Sequence, residues 1–202
     1  MQTRSLGLPD VLQARKAQRL APHVAPLNAW VDVLSAGRWT PSFDPADGGV
    51  GARVLLLLES PGPTASLTGF VSLDNPNATA ENLTCLLHLA GLPRRQVAVW
   101  NAVPWQMSAG GVVAPVRAQY AEAAPLTRHL LSLLPELRAV VLVGRHAQAA
   151  WGHVGSGLPT FACPHPSPQN FHTRREEAGT ALLALLDARR VTRSNGGRPD
   201  GQ

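Results

Sequence analysis

Three polar side chains stand at the ends of short apolar runs: Glu59 after Val54–Leu58, Asn101 after Val97–Trp100, and His165 two residues beyond Thr160–Cys163. Apolar runs this short read as buried strands, and in open α/β sheets ligands bind beyond the carboxyl ends of the strands. The three strand ends then direct a carboxylate, a carboxamide and an imidazole at one crevice. A carboxylate can take up a proton or face a cation, a carboxamide both donates and accepts hydrogen bonds, and an imidazole can donate to developing negative charge. Singly, Glu59 could cap a helix, Asn101 form an Asx turn and His165 order a loop. Their joint occurrence is what points to a site.

The flanking strings carry a resemblance. Leu58-Glu59-Ser60-Pro61-Gly62 and His165-Pro166-Ser167-Pro168, with Asn101 ending an intervening strand and Phe70 following the first string, resemble the motifs of the uracil-DNA glycosylase superfamily. That family's first motif reads G-Q-D-P-Y, G-M-N-P-G or G-E-A-P-G in its branches, and its second reads H-P-S-P or H-P-S-A. The likeness runs from about Arg53 to Phe171. Two positions depart from it. Leu58 stands where the family has glycine, and Ser60 stands where the G-Q-D-P-Y branches carry a water-activating aspartate. The G-E-A-P-G branch holds an iron–sulfur cluster on four cysteines, whereas this chain has only Cys85 and Cys163, too few thiolates for it. The resemblance is therefore to a branch without the cluster, and no cofactor and no metal are expected.

What the resemblance implies is a DNA-repair glycosylase that hydrolyses the N-glycosidic bond of uracil and leaves an abasic site. An extruded base is read by hydrogen bonds to its Watson–Crick edge and by stacking in a fitted pocket. On the family's pattern, Asn101 would donate to O4 and accept from N3–H, Phe70 would stack on the base, and His165 would donate to O2 as the base leaves. Glu59 would position water or face the cation-like sugar, with Ser60 beside it and Asp74 on the following loop in reserve. Ser167, Pro168, Gln169 and Asn170 would form the loop that contacts phosphate and wedges beside the flipped nucleotide, and Arg145, Arg174 and Arg175 are further phosphate candidates. Lys16 is the only lysine and is not placed to form a Schiff base, so the enzyme would be monofunctional. The alternatives are a non-catalytic DNA or nucleotide binding module of the same fold, and a glycosylase for deaminated purines.

Several elements must position these residues. Val11–Leu20 and Leu27–Leu34 have apolar side chains at helical spacing and predict an N-terminal helical layer within 1–50, followed by an irregular connection. Strands are predicted at Arg53–Leu58, Gln96–Trp100, Ala139–Val143 and Thr160–Cys163. Thr64–Asn77 reads as a long loop, with a helix following from about Thr79 to Leu89. Further helices are predicted over Arg117–Leu134, His146–Trp151 and Thr173–Arg190. Pro125 is expected to kink or divide the first of these, and Gly110-Gly111 marks a flexible point before it. Strands alternating with helices predict a three-layer α/β/α sandwich around a mostly parallel four-stranded sheet. Residues 1–190 are expected to form a single domain, and 191–202 a flexible tail.

Composition bounds the rest. The 202 residues are 45% hydrophobic, enough for a core without metal or disulfide support. The net charge of +5 comes from arginine, whose planar fork suits phosphate, and it favours DNA as the partner. Met1–Asp10 lacks the apolar core of a signal peptide, and no apolar run approaches the roughly 20 residues of a membrane span. A cytoplasmic monomer is expected. Phosphate-binding G-x-x-x-x-G-K, nucleophile-elbow G-x-S-x-G and zinc deaminase signatures are absent from the sequence.

Overall fold

The computed structural model describes residues 4–107, 113–173 and 175–194, apart from the side chains of 172, 173, 175 and 194. Four strands, β2 (Val54–Leu58), β4 (Val97–Asn101), β5 (Ala139–Val143) and β6 (Thr160–Cys163), form one sheet in the order β4-β2-β5-β6, all parallel. β1 (Ser42–Phe43) and β3 (Phe70–Val71) make a separate two-stranded parallel pair. Val54 to Leu57 and Val140, Val141 and Val143 are fully buried or nearly so, as strands covered on both faces must be. On one face lie α4 (Ala78–Ala90) and α8 (Arg175–Ser194), packed on each other and, through α8, on β5 and β6. On the other lie α2 (Ala25–Ser35), α5 (Arg117–Ser132) and α6 (Arg145–Trp151). Trp30 of α2 reaches both Trp100 and His129 of α5, and Phe43 stacks on Trp100 at 4.2 Å. The architecture is the three-layer α/β/α sandwich predicted.

Strand order reverses at β2, which pairs with β4 on one side and β5 on the other. Such a switch point opens a crevice beyond the strand ends.

Four local expectations are corrected. Thr64–Asn77 is not a continuous loop: α3 (Pro63–Thr68) and β3 occupy its first half, with Pro63 at the first helical position and Gly69 closing the helix at φ +82°. Proline turns and a six-residue helix leave too little periodicity to detect. α5 is not divided at Pro125, which lies on the solvent face where the carbonyl it cannot pair is open to water. The segment after β6 is also helical, as α7 (Pro168–Thr173). Finally, α8 runs to Ser194, four residues into the expected tail, since Val191 and Thr192 still pack inward. Gly110-Gly111 and residues 195–202 lie outside the described residues. No helix among the described residues is long and apolar enough to cross a membrane.

A buried ion cluster ties α1 (Pro9–Ala17) to the loops around the crevice. Asp44, 1% exposed, accepts from Arg15 Nη1 at 2.5 Å and Arg94 Nη2 at 2.8 Å, and also from the Ser72 hydroxyl. Asp74 accepts from Arg15 Nη2 at 2.9 Å and Arg94 Nη1 at 2.7 Å, and Asp47 accepts from Arg94 Nε at 2.6 Å. Three carboxylates face two guanidiniums, so one negative charge is left over. Burial, working against the Arg94 charge, pushes Asp47 up to about 7.

The sign follows from linkage. Folded Asp47 holds its proton to higher pH than the unfolded chain does, so its contribution is complete below about 4 and is lost as pH rises through about 7. Wild-type stability is expected to fall across that window, by at most about 1.4 kcal/mol per pH unit from this group. Denaturant titrations of Asp47→Asn should show that slope removed; a wild-type slope in the variant would refute the assignment.

Candidate active site

Leu58 and Asn101 are register partners in adjacent parallel strands. The pairing continues past the sheet, with Ala102 N–H donating to Leu58 O at 2.8 Å and Val103 N–H to Glu59 O at 3.0 Å. Glu59 and Asn101 therefore leave the sheet side by side, on strands about 4.8 Å apart. They open onto a cavity of about 410 Å³. His165 and Ser60 line the same cavity, with Leu58, Leu73, Leu83 and Val99 as apolar wall and Ser72, Asn75 and Asn77 as polar wall. That size suits a small planar ligand.

The loops forming the wall are held by their own side chains. Asn77 caps α4, accepting from Ala80 N–H at 2.9 Å, and its Nδ2 donates to Thr64 Oγ1 at 2.7 Å. Thr68 donates to Asn75 Oδ1 at 2.7 Å, while Asn75 Nδ2 donates to the Phe70 carbonyl at 2.9 Å. Ser72 is anchored to the ion cluster through Asp44.

Asn101 is only 3% exposed, and among the described residues none hydrogen-bonds its carboxamide. Its amide nitrogen and oxygen are not enclosed but open onto the cavity, so they are available to a ligand.

His165 is delivered by the turn after β6. Asn82 Nδ2 of α4 donates to Pro166 O at 3.0 Å, and Asn170 Nδ2 and Ser167 N–H donate to His165 O at 2.9 and 2.8 Å. Gly144, after β5, sits at φ +86°, where a Cβ would meet His165 Cβ at 3.0 Å. Glycine there lets the histidine loop close against the neighbouring strand end. Burial first, and then the charge on His146, holds the His165 imidazole below its ordinary 6.5. The ring is neutral at neutral pH.

A second, more polar cavity of about 760 Å³ shares Glu59 and His165 with the first. Arg145, His146, Ser167, Gln169 and Asn170 line it. Ser167 Oγ also accepts from Asn170 N–H at 3.3 Å, and Pro168 opens α7. The stretch read as a free loop is thus the capped first turn of a short helix.

Glu59, Ser60, Asn101 and His165 are therefore brought together. Phe70 is not among them: it belongs to β3, is 1% exposed and does not line the cavity, because the short strand turns its ring into the interior. Asp74 is likewise withdrawn, its carboxylate committed to Arg15 and Arg94. Burial pushes the Cys163 thiol up to about 12, which leaves it unreactive. The side chains of Arg174 and Arg175 lie outside the described ones.

Two residues at the site were missed from the sequence. His146 brings Nε2 to 3.8 Å from Glu59 Oε2, and Tyr120 Oη lies 2.5 Å from His146 Nδ1. His146 did carry a signal, since Gly144-Arg145-His146 follows a strand end as the other three groups do. Tyr120, inside a long helix, carried none.

Fold and site together define an open α/β protein with a preformed acid, amide and imidazole pocket at its strand switch point. A sequence model of the uracil DNA glycosylase superfamily matches residues 45–187, most of the chain, and the protein belongs to that superfamily. A search of curated proteins found no match. Membership carries a glycosylase-type fold suited to DNA.

Proposed function

We propose that the protein is a monofunctional uracil-DNA glycosylase that hydrolyses the N-glycosidic bond of an extruded deoxyuridine. The reading rests above all on Asn101, a buried carboxamide with an open donor and an open acceptor on the cavity wall. Uracil offers O4 and N3–H to such a group, and cytosine offers the opposite pattern. As the C1′–N1 bond breaks, its electron pair goes to the base and charge builds on O2, where His165 donates a hydrogen bond. Glu59 faces the cation-like C1′. Water then forms the C1′–O bond and gives up a proton to Glu59. Ser60, lacking a base to activate it, serves to shape the pocket mouth.

The test is incubation with single- and double-stranded oligonucleotides containing uracil, followed by alkaline cleavage at abasic sites. Cleavage at the uracil position is expected, and none from either substrate would refute the reading. Asn101→Asp removes the donor to O4 and supplies an acceptor that suits the cytosine amino group. Uracil release should fall by about 10- to 100-fold, and base choice should shift toward cytosine in competition assays.

A glycosylase for hypoxanthine or xanthine is the second reading. It is favoured by the position of Phe70, since among the described residues no Phe, Tyr or Trp lines the cavity and narrows it to a pyrimidine. Rates on a panel of deaminated bases separate the two.

A further inference from the structure

Beside Glu59, the Tyr120–His146 pair forms a relay whose hydrogen positions follow from the geometry. Tyr120 Oη lies 2.9 Å from the Pro115 carbonyl and 2.5 Å from His146 Nδ1. A carbonyl can only accept, so the single phenolic hydrogen goes to Pro115 and the oxygen accepts from His146. Nδ1 therefore carries the hydrogen. Burial first, and then the Glu59 charge, holds Tyr120 above its ordinary 10 as a neutral phenol, so it does not give up this role.

With Nδ1 occupied, Nε2 is the atom of His146 that can exchange a proton. It lies 3.2 Å from Arg145 Nε and 3.8 Å from Glu59 Oε2. Neutral, Nε2 accepts from Arg145. Protonated, it has a carboxylate to donate to, and a side-chain shift of about 1 Å closes that contact to hydrogen-bond range. The other ionisable groups facing this ring are His165, which is coupled to its charge, and Glu177 of α8, which lines the same polar cavity. His153 sits on the far side of Tyr120, with ring centroids 6.4 Å apart.

We propose that His146 acts through Glu59: pinned by Tyr120 with its hydrogen on Nδ1, it keeps Nε2 unprotonated beside the carboxylate and takes over the proton that Glu59 collects from water. The inference rests on the glycosylase reading. The atoms balance: water's oxygen bonds to C1′, one water proton passes to Glu59 and then to Nε2, and bulk water regenerates neutral His146. His165 stays free to hold the departing base.

The test combines single-turnover rates across pH with 15N spectra of the imidazoles. In the wild-type protein His146 is expected to show hydrogen on Nδ1 when neutral, and in Tyr120→Phe a mixture of the two tautomers. His146→Gln, which keeps a polar group near the Nε2 position but cannot titrate, should slow base release about tenfold and alter the shape of the rate–pH profile. The same change in a Glu59→Gln background should cost nothing more, because the two residues act as a unit. Three results each overturn the inference alone: a wild-type rate and profile in His146→Gln, an equal loss in both backgrounds, or hydrogen on Nε2 in neutral wild-type His146. A wild-type protein that releases no base overturns the glycosylase reading and the proton role with it.

Discussion

Glu59→Gln is expected to slow uracil release by about 10²- to 10⁴-fold, the range for losing a positioned general base, while leaving DNA affinity within a small factor of wild type. Glutamine has the same shape, and the Glu59 backbone is held from outside its side chain by the Val103 amide at 3.0 Å. The loop will therefore stay where it is. What disappears is a negative charge facing C1′ and an acceptor for water's proton, and both matter only once the glycosidic bond is stretched. Single-turnover kinetics with uracil-containing DNA, alongside binding to an abasic-site analogue, separate the two effects. A variant within about threefold of the wild-type rate would remove Glu59 from the chemistry. Asp74 would not then take its place, since both its guanidinium partners sit in the buried cluster away from the cavity.

His165→Ala should cost about 10²- to 10³-fold in the same assay, as does the loss of one preorganised donor to a developing oxyanion. The imidazole is neutral at neutral pH because burial and the neighbouring His146 both disfavour its charged form. Its contribution should therefore persist on the alkaline side of 6.5. The wild-type rate is expected to show no His165-linked decline between about pH 7 and pH 9. A steep fall across that interval, abolished in His165→Ala, would mean that an imidazolium is required and would overturn the neutral-donor role. The backbone around His165 is fixed by Asn82 and Asn170, so truncation at Cβ leaves the loop in place, and a measured loss reports the missing ring.

Strand positions were legible because they rest on local composition. Ala139–Val143 and Thr160–Cys163 are found where their apolar runs stand, and Val54–Leu58 and Val97–Asn101 within one residue of it. A strand buried on both faces announces itself as an unbroken apolar run. Parallel pairing follows from the helices between strands, and polar residues at their carboxyl ends mark where a crevice must be. Thus Glu59, Asn101 and His165 could be picked out together, from their shared place at strand ends and the motif strings around them.

The sequence by itself thus determined the layers, the parallel sheet and three of the groups that meet at the cavity. Only the tertiary structure decided what stands around them. Phe70 carries the same residue type whether it stacks over a cavity or fills an interior, and a two-residue strand paired to Ser42–Phe43 settled that. Asp74 reads as a free loop acid until Arg15 and Arg94, 59 and 20 residues away in sequence, close on it. Tyr120 and His146, 26 residues apart, meet only because α5 and α6 pack on the same face. The physical reason is common to all three. Secondary structure is dictated by short-range periodicity, whereas the partner of a charge or a ring is chosen by which surfaces the packed core brings into contact.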